Sequence, residues 1–166
     1  MLDEALAGDC IFAVGRVRRG ETGEEDGVCE IGTAGLVRAS REGDDGTSQL
    51  LLHGVLRVRF KGWLNEKPYP YALIEPFPSE ELGEKMGVAA MRTLRGTVED
   101  ASAHLPEEVQ AAVTGMLEQA TDAGLMANMV AQHFVHDPDL RQRLLETGSV
   151  GEQISMLCGF FQGLGE

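Results

Sequence analysis

Aromatic side chains are scarce: they make up 5% of the 166 residues, so any core must be built from Leu, Val, Ile, Ala and Met. Lysine is rarer still. Lys61, Lys67 and Lys85 are its only occurrences, and none lies in a G-x-x-x-x-G-K-[ST] loop, which excludes a P-loop nucleotide site. No G-x-S-x-G elbow and no H-E-x-x-H pair occurs. No lysine stands near a serine in an apolar, glycine-flanked setting that would lower its pKa, so a Ser/Lys dyad is not expected. The three cysteines, Cys10, Cys29 and Cys158, form no C-x-x-C pair. That pattern points to reduced thiols and a cytoplasmic setting. No basic-then-apolar leader is present, and no apolar run approaches the ~18 residues of a membrane span. The expectation is a soluble, cytoplasmic, non-catalytic chain with no cofactor and no metal.

Positive charge is also in deficit. The formal net charge is −13. Residues 1–79 carry 13 acidic and 9 basic side chains, residues 80–166 carry 14 and 5, so the second half is the more acidic. A field of this sign repels nucleic acid and anionic membrane, but not an unfolded polypeptide of low average charge. Hydrophobic residues at 43% and charged residues at 25% are ordinary globular proportions, enough for a real core.

The two halves differ in period, which divides the chain into a β-rich subdomain, 1–79, and a helical bundle, 80–166. Leu2–Leu6 reads as a short helix closed by Gly8. Cys10–Val14 is apolar on both faces, as in a buried strand. Glu21–Gly27 reads as an acidic loop, and Thr33–Ala39 as the next strand. Gly43-Asp44-Asp45-Gly46 is a turn signal, with Gln49–His53 returning from it as a hairpin. Beyond Gly54, Leu56-Arg57-Val58-Arg59-Phe60 alternates, with one face buried and one wet. Pro68-Tyr69-Pro70 breaks the chain before a last strand, Tyr71–Glu75.

From Glu80 the apolar spacing becomes helical. Leu82, Met86, Ala90, Leu94, Val98, Ala101 and Leu105 form one long stripe. Pro106 with Glu107 and Glu108 opens a second helix, bearing Val109, Val113, Met116, Leu117 and Ala120. Asp122 caps a third, with Leu125, Met126, Met129, Val130 and Phe134. Asp137-Pro138 opens a fourth, with Leu140, Leu144 and Leu145, stopped by Gly148. Ser149-Val150-Gly151-Glu152 is a capping box for a fifth, which carries Ile154, Leu157, Phe161 and Leu164.

Few residues suggest chemistry. His133 and His136 make an H-x-x-H but lack further ligands at matching spacing, so no metal is assigned. His53 and His104 have no identifiable partner. The paired carboxylates, Asp3-Glu4, Glu24-Glu25-Asp26, Asp44-Asp45, Glu80-Glu81 and Glu107-Glu108, fall in loops or first helical turns, where solvated charge is the ordinary reading; Glu75, in an apolar strand, is the exception. Gly32-x-x-Gly35 lacks the third glycine and the following helix of a dinucleotide site. What remains is basic and aromatic. Arg16-Val17-Arg18-Arg19 and Arg57-Val58-Arg59-Phe60-Lys61 are the basic clusters. Trp63, Tyr69 and Tyr71 stand near prolines in a loop-rich stretch, where aromatics serve either recognition or packing.

The order of these pieces resembles a known family. Leu2–Leu6 followed by Gly8-Asp9-Cys10-Ile11-Phe12-Ala13-Val14 is similar to the "..L..AL.GD..F.V" stretch of the Lon protease N-terminal domain. Val28–Ala39 resembles its "..VGT.A.IV.." strand, and Leu50–Phe60 its "LL..G..R.RI" partner. Pro70–Pro76 resembles its "PY..A.VE." strand, and Leu144-Leu145-Glu146-Thr147 running into Val150 its helical end. The resemblance covers nearly the whole chain. It implies an α+β fold: a partly open PUA-like β-barrel followed by an α-helical bundle. In the family a strand and a "PL.IFEPRY" segment precede the point matching Met1, so the resemblance also implies a barrel lacking its first strand, with an unpaired edge.

The expected function is that of a stand-alone Lon substrate-binding domain without the ATPase and peptidase parts. It binds unfolded or tagged polypeptide through an apolar groove, alongside a separate protease or chaperone. The peptide-contact candidates are Arg57, Arg59, Trp63, Tyr69 and Tyr71. Two alternatives stand beside this: an RNA-binding PUA-like module, which the charge opposes, and a structural adaptor forming a homodimer through Met116, Met126 and Met129.

Overall fold

The computed structural model describes residues 1–21 and 27–163; most of the Glu21–Gly27 loop, with its Glu24-Glu25-Asp26 run, and Leu164 lie outside the described residues. The chain divides into two compact units, Met1–Pro78 and Ser79–Glu166.

The first unit holds a short helix, α1 (Leu2–Ala7), and four strands: β1 (Ile11–Val14), β2 (Ile31–Glu42), β3 (Ser48–Leu64) and β4 (Tyr71–Pro76). They form one open antiparallel sheet in the order β1-β2-β3-β4. The β2–β3 turn follows its residues. Gly46 takes φ +79°, a conformation that costs glycine little. The Asp45 carboxylate accepts from the Thr47 N–H at 3.0 Å and the Thr47 hydroxyl at 2.6 Å.

Three expectations for this unit are corrected. Gly54 does not separate two strands. Residues 48–64 are one strand of 17 residues, and the extra residue at Val55 is taken up by a bulge, since Ala34 pairs with Leu56 and Gly35 with Gly54. Cys10 is not in a strand: it turns the chain from α1 into β1 at φ +56°, with its carbonyl accepting from the Val37 N–H at 2.7 Å. Finally, β1 is not buried. It is an edge strand, with Ile11 50% and Val14 52% exposed.

The interior of the sheet is small and is centred on one ring. Among the described residues only Cys29, Ile31, Ala34 and Val58 are fully buried hydrophobics of this unit. Phe60, half-buried, lies so close to Gly15 and Gly32 that a Cβ on either glycine would come within 2.9 Å and 2.7 Å of its Cε2. At Gly32 the same Cβ would also meet the Val14 carbonyl oxygen at 2.4 Å. Gly32 is therefore required by close approach of backbone and ring, which is a different role from phosphate binding.

The second unit is five helices: α2 (Glu84–Ser102), α3 (Glu107–Leu117), α4 (Ala123–Phe134), α5 (Pro138–Glu146) and α6 (Val150–Gly163). The caps operate as the sequence indicates. Asp122 accepts from the Leu125 N–H at 2.8 Å, and Asp137 from the Asp139 and Leu140 N–H groups at 3.0 and 3.3 Å. The Glu152 N–H donates to the Ser149 hydroxyl at 3.4 Å. The first helix starts later than the apolar stripe suggests. Glu80 forms a parallel bridge with Ser149, its N–H donating to the Gly148 carbonyl at 2.9 Å, and this pairing keeps residues 80–83 out of the helix. Met86, in the first turn of α2, is 65% exposed and lies outside the core.

Leu94, Val98, Leu117, Met126, Val130, Leu144, Ile154, Leu157 and Phe161 make a continuous core from all five helices. The buried amide of Gln153 is satisfied: its Nε2 donates to the carbonyls of Leu144 and Thr147, each at 2.9 Å, which ties α6 to the end of α5. Met126 is fully buried, and Met116 and Met129, partly buried, pack against the same core.

Gly32→Ala is expected to destabilise the β unit by about 1–3 kcal/mol through overpacking. Gly62→Ala, where an added Cβ meets nothing within 4 Å, is expected to be near neutral. Trp63, the single tryptophan, lies in this unit, so its fluorescence in a urea titration reads the β unit alone. Equal midpoints for the two variants would refute the close-approach argument.

Candidate functional site

The basic and aromatic candidates lie on β3, on β4 and in the turn between them. Alternation along β3 puts Arg57 and Arg59 on one face of the sheet, with Glu75 across from Arg59. Phe77 extends the same face. Its N–H donates to the Arg57 carbonyl at 2.8 Å, and both guanidiniums lie over its ring, Arg57 at 5.2 Å and Arg59 at 5.0 Å from the centroid. The charges are partly compensated. Arg59 pairs with Glu30 and, at 3.6 Å, with Glu75; Lys61 reaches Glu75 at 3.3 Å. Partial burial pushes the Arg57 guanidinium down from its ordinary value, which leaves it a cation at neutral pH.

A bulge decides where Trp63 goes. Phe60 pairs with Ile74 but Gly62 pairs with Leu73, so Lys61 is the extra residue and the facing of β3 inverts there. Phe60 and Trp63 thus share a face, and their rings stack at 5.5 Å with 11° between planes. By the same count Trp63 is on the face opposite Arg57 and Arg59, against the ring that seats on Gly32. Its surroundings are those of a packing residue.

Tyr69 and Tyr71 come together through a lysine that the sequence did not single out. Lys67 Nζ lies 6.0 Å from the Tyr69 centroid and 5.9 Å from that of Tyr71. Lys67 Nζ and the Tyr69 hydroxyl both donate to the Glu4 carboxylate. Helix α1 buries none of its residues, so this tie and the Cys10 N–H donating to the Ala5 carbonyl at 2.9 Å hold it. The hydrogen bond from Lys67, then that from Tyr69, holds Glu4 below the usual carboxylate range. The hydrogen bond to Glu4 in turn raises Lys67 and Tyr69 above theirs.

The five candidates therefore form no single cluster. Arg57 and Arg59 share Phe77; Tyr69 and Tyr71 share Lys67; Trp63 joins Phe60. Phe77 was legible in part, since 71, 73, 75 and 77 share a face at strand spacing. Glu4, some sixty residues away in sequence, carries no such signal. His133 and His136 are exposed, and no group of His, Cys, Asp and Glu suited to a metal occurs among the described residues.

A second property of the unit is apolar. Leu51 is 64%, Val55 54% and Leu73 55% exposed, with Leu50, Leu52, Leu56, Tyr71 and Ile74 also exposed. Strand residues of interior type stand open on β1, β3 and β4, while the helical unit buries most of its own, with Met86, Val88, Val109 and Leu125 as exposed exceptions. Exposed apolar surface of this kind marks an interaction surface.

An open antiparallel sheet followed by a helical bundle, with apolar strand residues exposed, is an α+β fold. Residues 1–162 match the family model of the ATP-dependent protease La (LON) substrate-binding domain, and the chain belongs to that family. It is 24% identical to the Lon protease of Syntrophomonas wolfei over 162 residues, covering 95% of this chain and 20% of that protein. It is 30% identical to Lon protease 2 of Thermus thermophilus over 157 residues, covering 92% and 19%. The fold is that of the N-terminal domain of the Mycobacterium avium complex Lon protease, with TM-score 0.74 at 15% identity, covering 97% of this chain and 82% of that one. A Lon N-terminal domain protein from Xanthomonas campestris matches with TM-score 0.59 at 16% identity, over 95% and 80%. The chain spans about a fifth of the length of the curated relatives it matches. The family supports a substrate-binding role. Among the described residues no helix is long and apolar enough to cross a membrane.

The Glu4 tie has a pH signature. A depressed carboxylate contributes stability above the ordinary glutamate range and loses it as pH falls. The raised Lys67 and Tyr69 contribute below their ordinary values and lose it as pH rises. Helix α1 is thus expected to be held through neutral pH and released at both extremes. Tyr69→Phe keeps the ring beside Lys67 but removes one donor to Glu4, so acid release should begin at a higher pH. Amide exchange of residues 2–7 followed by NMR against pH measures this; identical profiles for parent and variant would count against the tie.

Proposed function

We propose that this chain is a non-catalytic module that binds unfolded or tagged polypeptide segments through its β unit. The observation that carries the reading is the uncovered apolar surface of β3 and β4, with Leu51, Val55 and Leu73 each more than half exposed. Such surface is stabilised when an apolar segment covers it, by roughly 25 cal/mol per Å² removed from water. Unfolded chains supply such segments and folded ones do not. The arginines over Phe77 add a partner for carboxylate or backbone carbonyl groups at the rim of that surface. Hydrolysis and ATP use belong, in this reading, to a protease or chaperone acting on the captured segment in a reducing cytoplasm. Two rivals are weaker. RNA binding requires a basic stripe, and a net charge of −13 opposes it. A dimer through the α3 and α4 methionines would draw on side chains that also pack against the bundle's own core.

The test is fluorescence anisotropy of a labelled, permanently unfolded protein titrated with this one, its folded form serving as control. Binding on the micromolar scale to the unfolded form alone is expected, and Leu51→Ser with Leu73→Ser should weaken it about tenfold. No binding by a sample shown folded by circular dichroism, or equal binding of the folded control, would overturn the proposal.

A further inference from the structure

Strand β4 ends the sheet: among the described residues no strand lies beyond it. Which of its backbone groups face away follows from the ladder. The Phe77 N–H donates inward to the Arg57 carbonyl at 2.8 Å. Antiparallel alternation then turns Glu75 and Leu73 toward β3 and Ala72, Ile74 and Pro76 away. The far side of β3 agrees, because the Phe60 N–H, opposite Ile74, donates to Glu30 on the other side at 2.9 Å. Pro70 and Pro76 both fall at outward positions, where the β3 ladder needs no N–H. They bound an open edge whose outward donors are the N–H groups of Ala72 and Ile74.

Natural edges are blunted by lysine, by an internal proline or by a bulge in the edge strand itself. Between its bounding prolines β4 reads Tyr71-Ala72-Leu73-Ile74-Glu75, with no lysine, internal proline or bulge; its one charge, Glu75, is paired with Arg59 and Lys61 of β3, and the bulge lies in β3, at Lys61. The side chains flanking the edge are apolar and exposed on both faces, Tyr71 and Leu73 on one and Ile74 on the other. An edge of this kind is completed by one chemical species, an extended peptide backbone.

We propose that the β4 edge captures an extended polypeptide segment as an added strand, paired across Ala72 and Ile74. This rests on the polypeptide-binding reading above and specifies its substrate class: short, proline-free stretches of β-branched and aromatic residues, neutral or basic in charge, recognised mainly through their backbone. Charge selects this occupant over a second copy. Two chains of −13 repel each other, whereas a neutral or basic segment is not repelled.

The probe is a labelled ten-residue peptide of Val, Thr, Ile and Lys, with a second peptide of the same side chains whose central amides are replaced by esters. The side chains are the same, and the esters remove backbone donors and weaken the adjoining carbonyl acceptors. The ester peptide is expected to bind about tenfold more weakly. Ile74→Pro, which removes an outward N–H outside the β3 ladder, should lose a similar factor with the Trp63 emission unchanged. If that variant unfolds, the peptide pair alone decides. Equal affinity of amide and ester peptides, or a folded Ile74→Pro that binds as before, would overturn the edge while leaving the polypeptide-binding reading in place. Failure of every unfolded ligand to bind would overturn both. A concentration-dependent dimer abolished by Ile74→Pro would assign the edge to a second copy instead.

Discussion

Three backbones in the β unit come together around one ring, and most of the unit's geometry follows from that contact. Phe60 is seated on Gly15 and Gly32, where neither position has room for a Cβ. Its own N–H is committed to the carbonyl of Glu30, just before β2. With the ring fixed, the extra residue at Lys61 inverts β3 and brings Trp63 onto Phe60. The same inversion leaves Arg57 and Arg59 on the opposite face, where Phe77 lies between them and the end of β4. Trp63, which the sequence leaves between recognition and packing, stacks on Phe60, and Phe77, flanked by prolines, lies beside the cations.

The two units use apolar residues in opposite ways. The helical unit distributes them at helical spacing, and nearly all turn inward to one core, with the buried amide of Gln153 satisfied. The sheet has comparable strand residues, but among the described hydrophobic ones only Ile31, Ala34 and Val58 are buried. Such a sheet is stable enough to hold its register through hydrogen bonds and the Phe60 seat, and it keeps apolar surface available. That division suits a module whose helices supply stability and whose strands supply contact.

The helical half was the more legible in sequence. Asp122, Asp137-Pro138 and Ser149 act locally, within three residues of the groups they cap, so a local pattern is sufficient to find them. The start of α2 was misread because Glu80 is held by Gly148 and Val150, about seventy residues away in sequence, and no stripe encodes that. In the β half the strands and the Asp45-Gly46 turn were readable from alternation and positive-φ preference. The candidate site was readable by residue type and not by grouping. Glu4, Lys67 and Tyr69 meet across more than sixty residues, and the Trp63 placement depends on a bulge.

By itself the sequence determined what is local: the change of period near Pro78, the caps, the hairpin turn, the acidic balance, and the family to which the order of motifs belongs. These depend on contacts within a few residues or on composition, which the linear chain displays directly. The tertiary structure alone decided which apolar strand residues stay uncovered. Ile11, Val14, Leu73 and Ile74 have the alternation-free pattern of interior strands, yet they stand on edges because burial depends on which strand lies next to them. Strand neighbours are chosen by long-range pairing, and a bulge of one residue reverses every facing beyond it, so neither can be read from a local pattern.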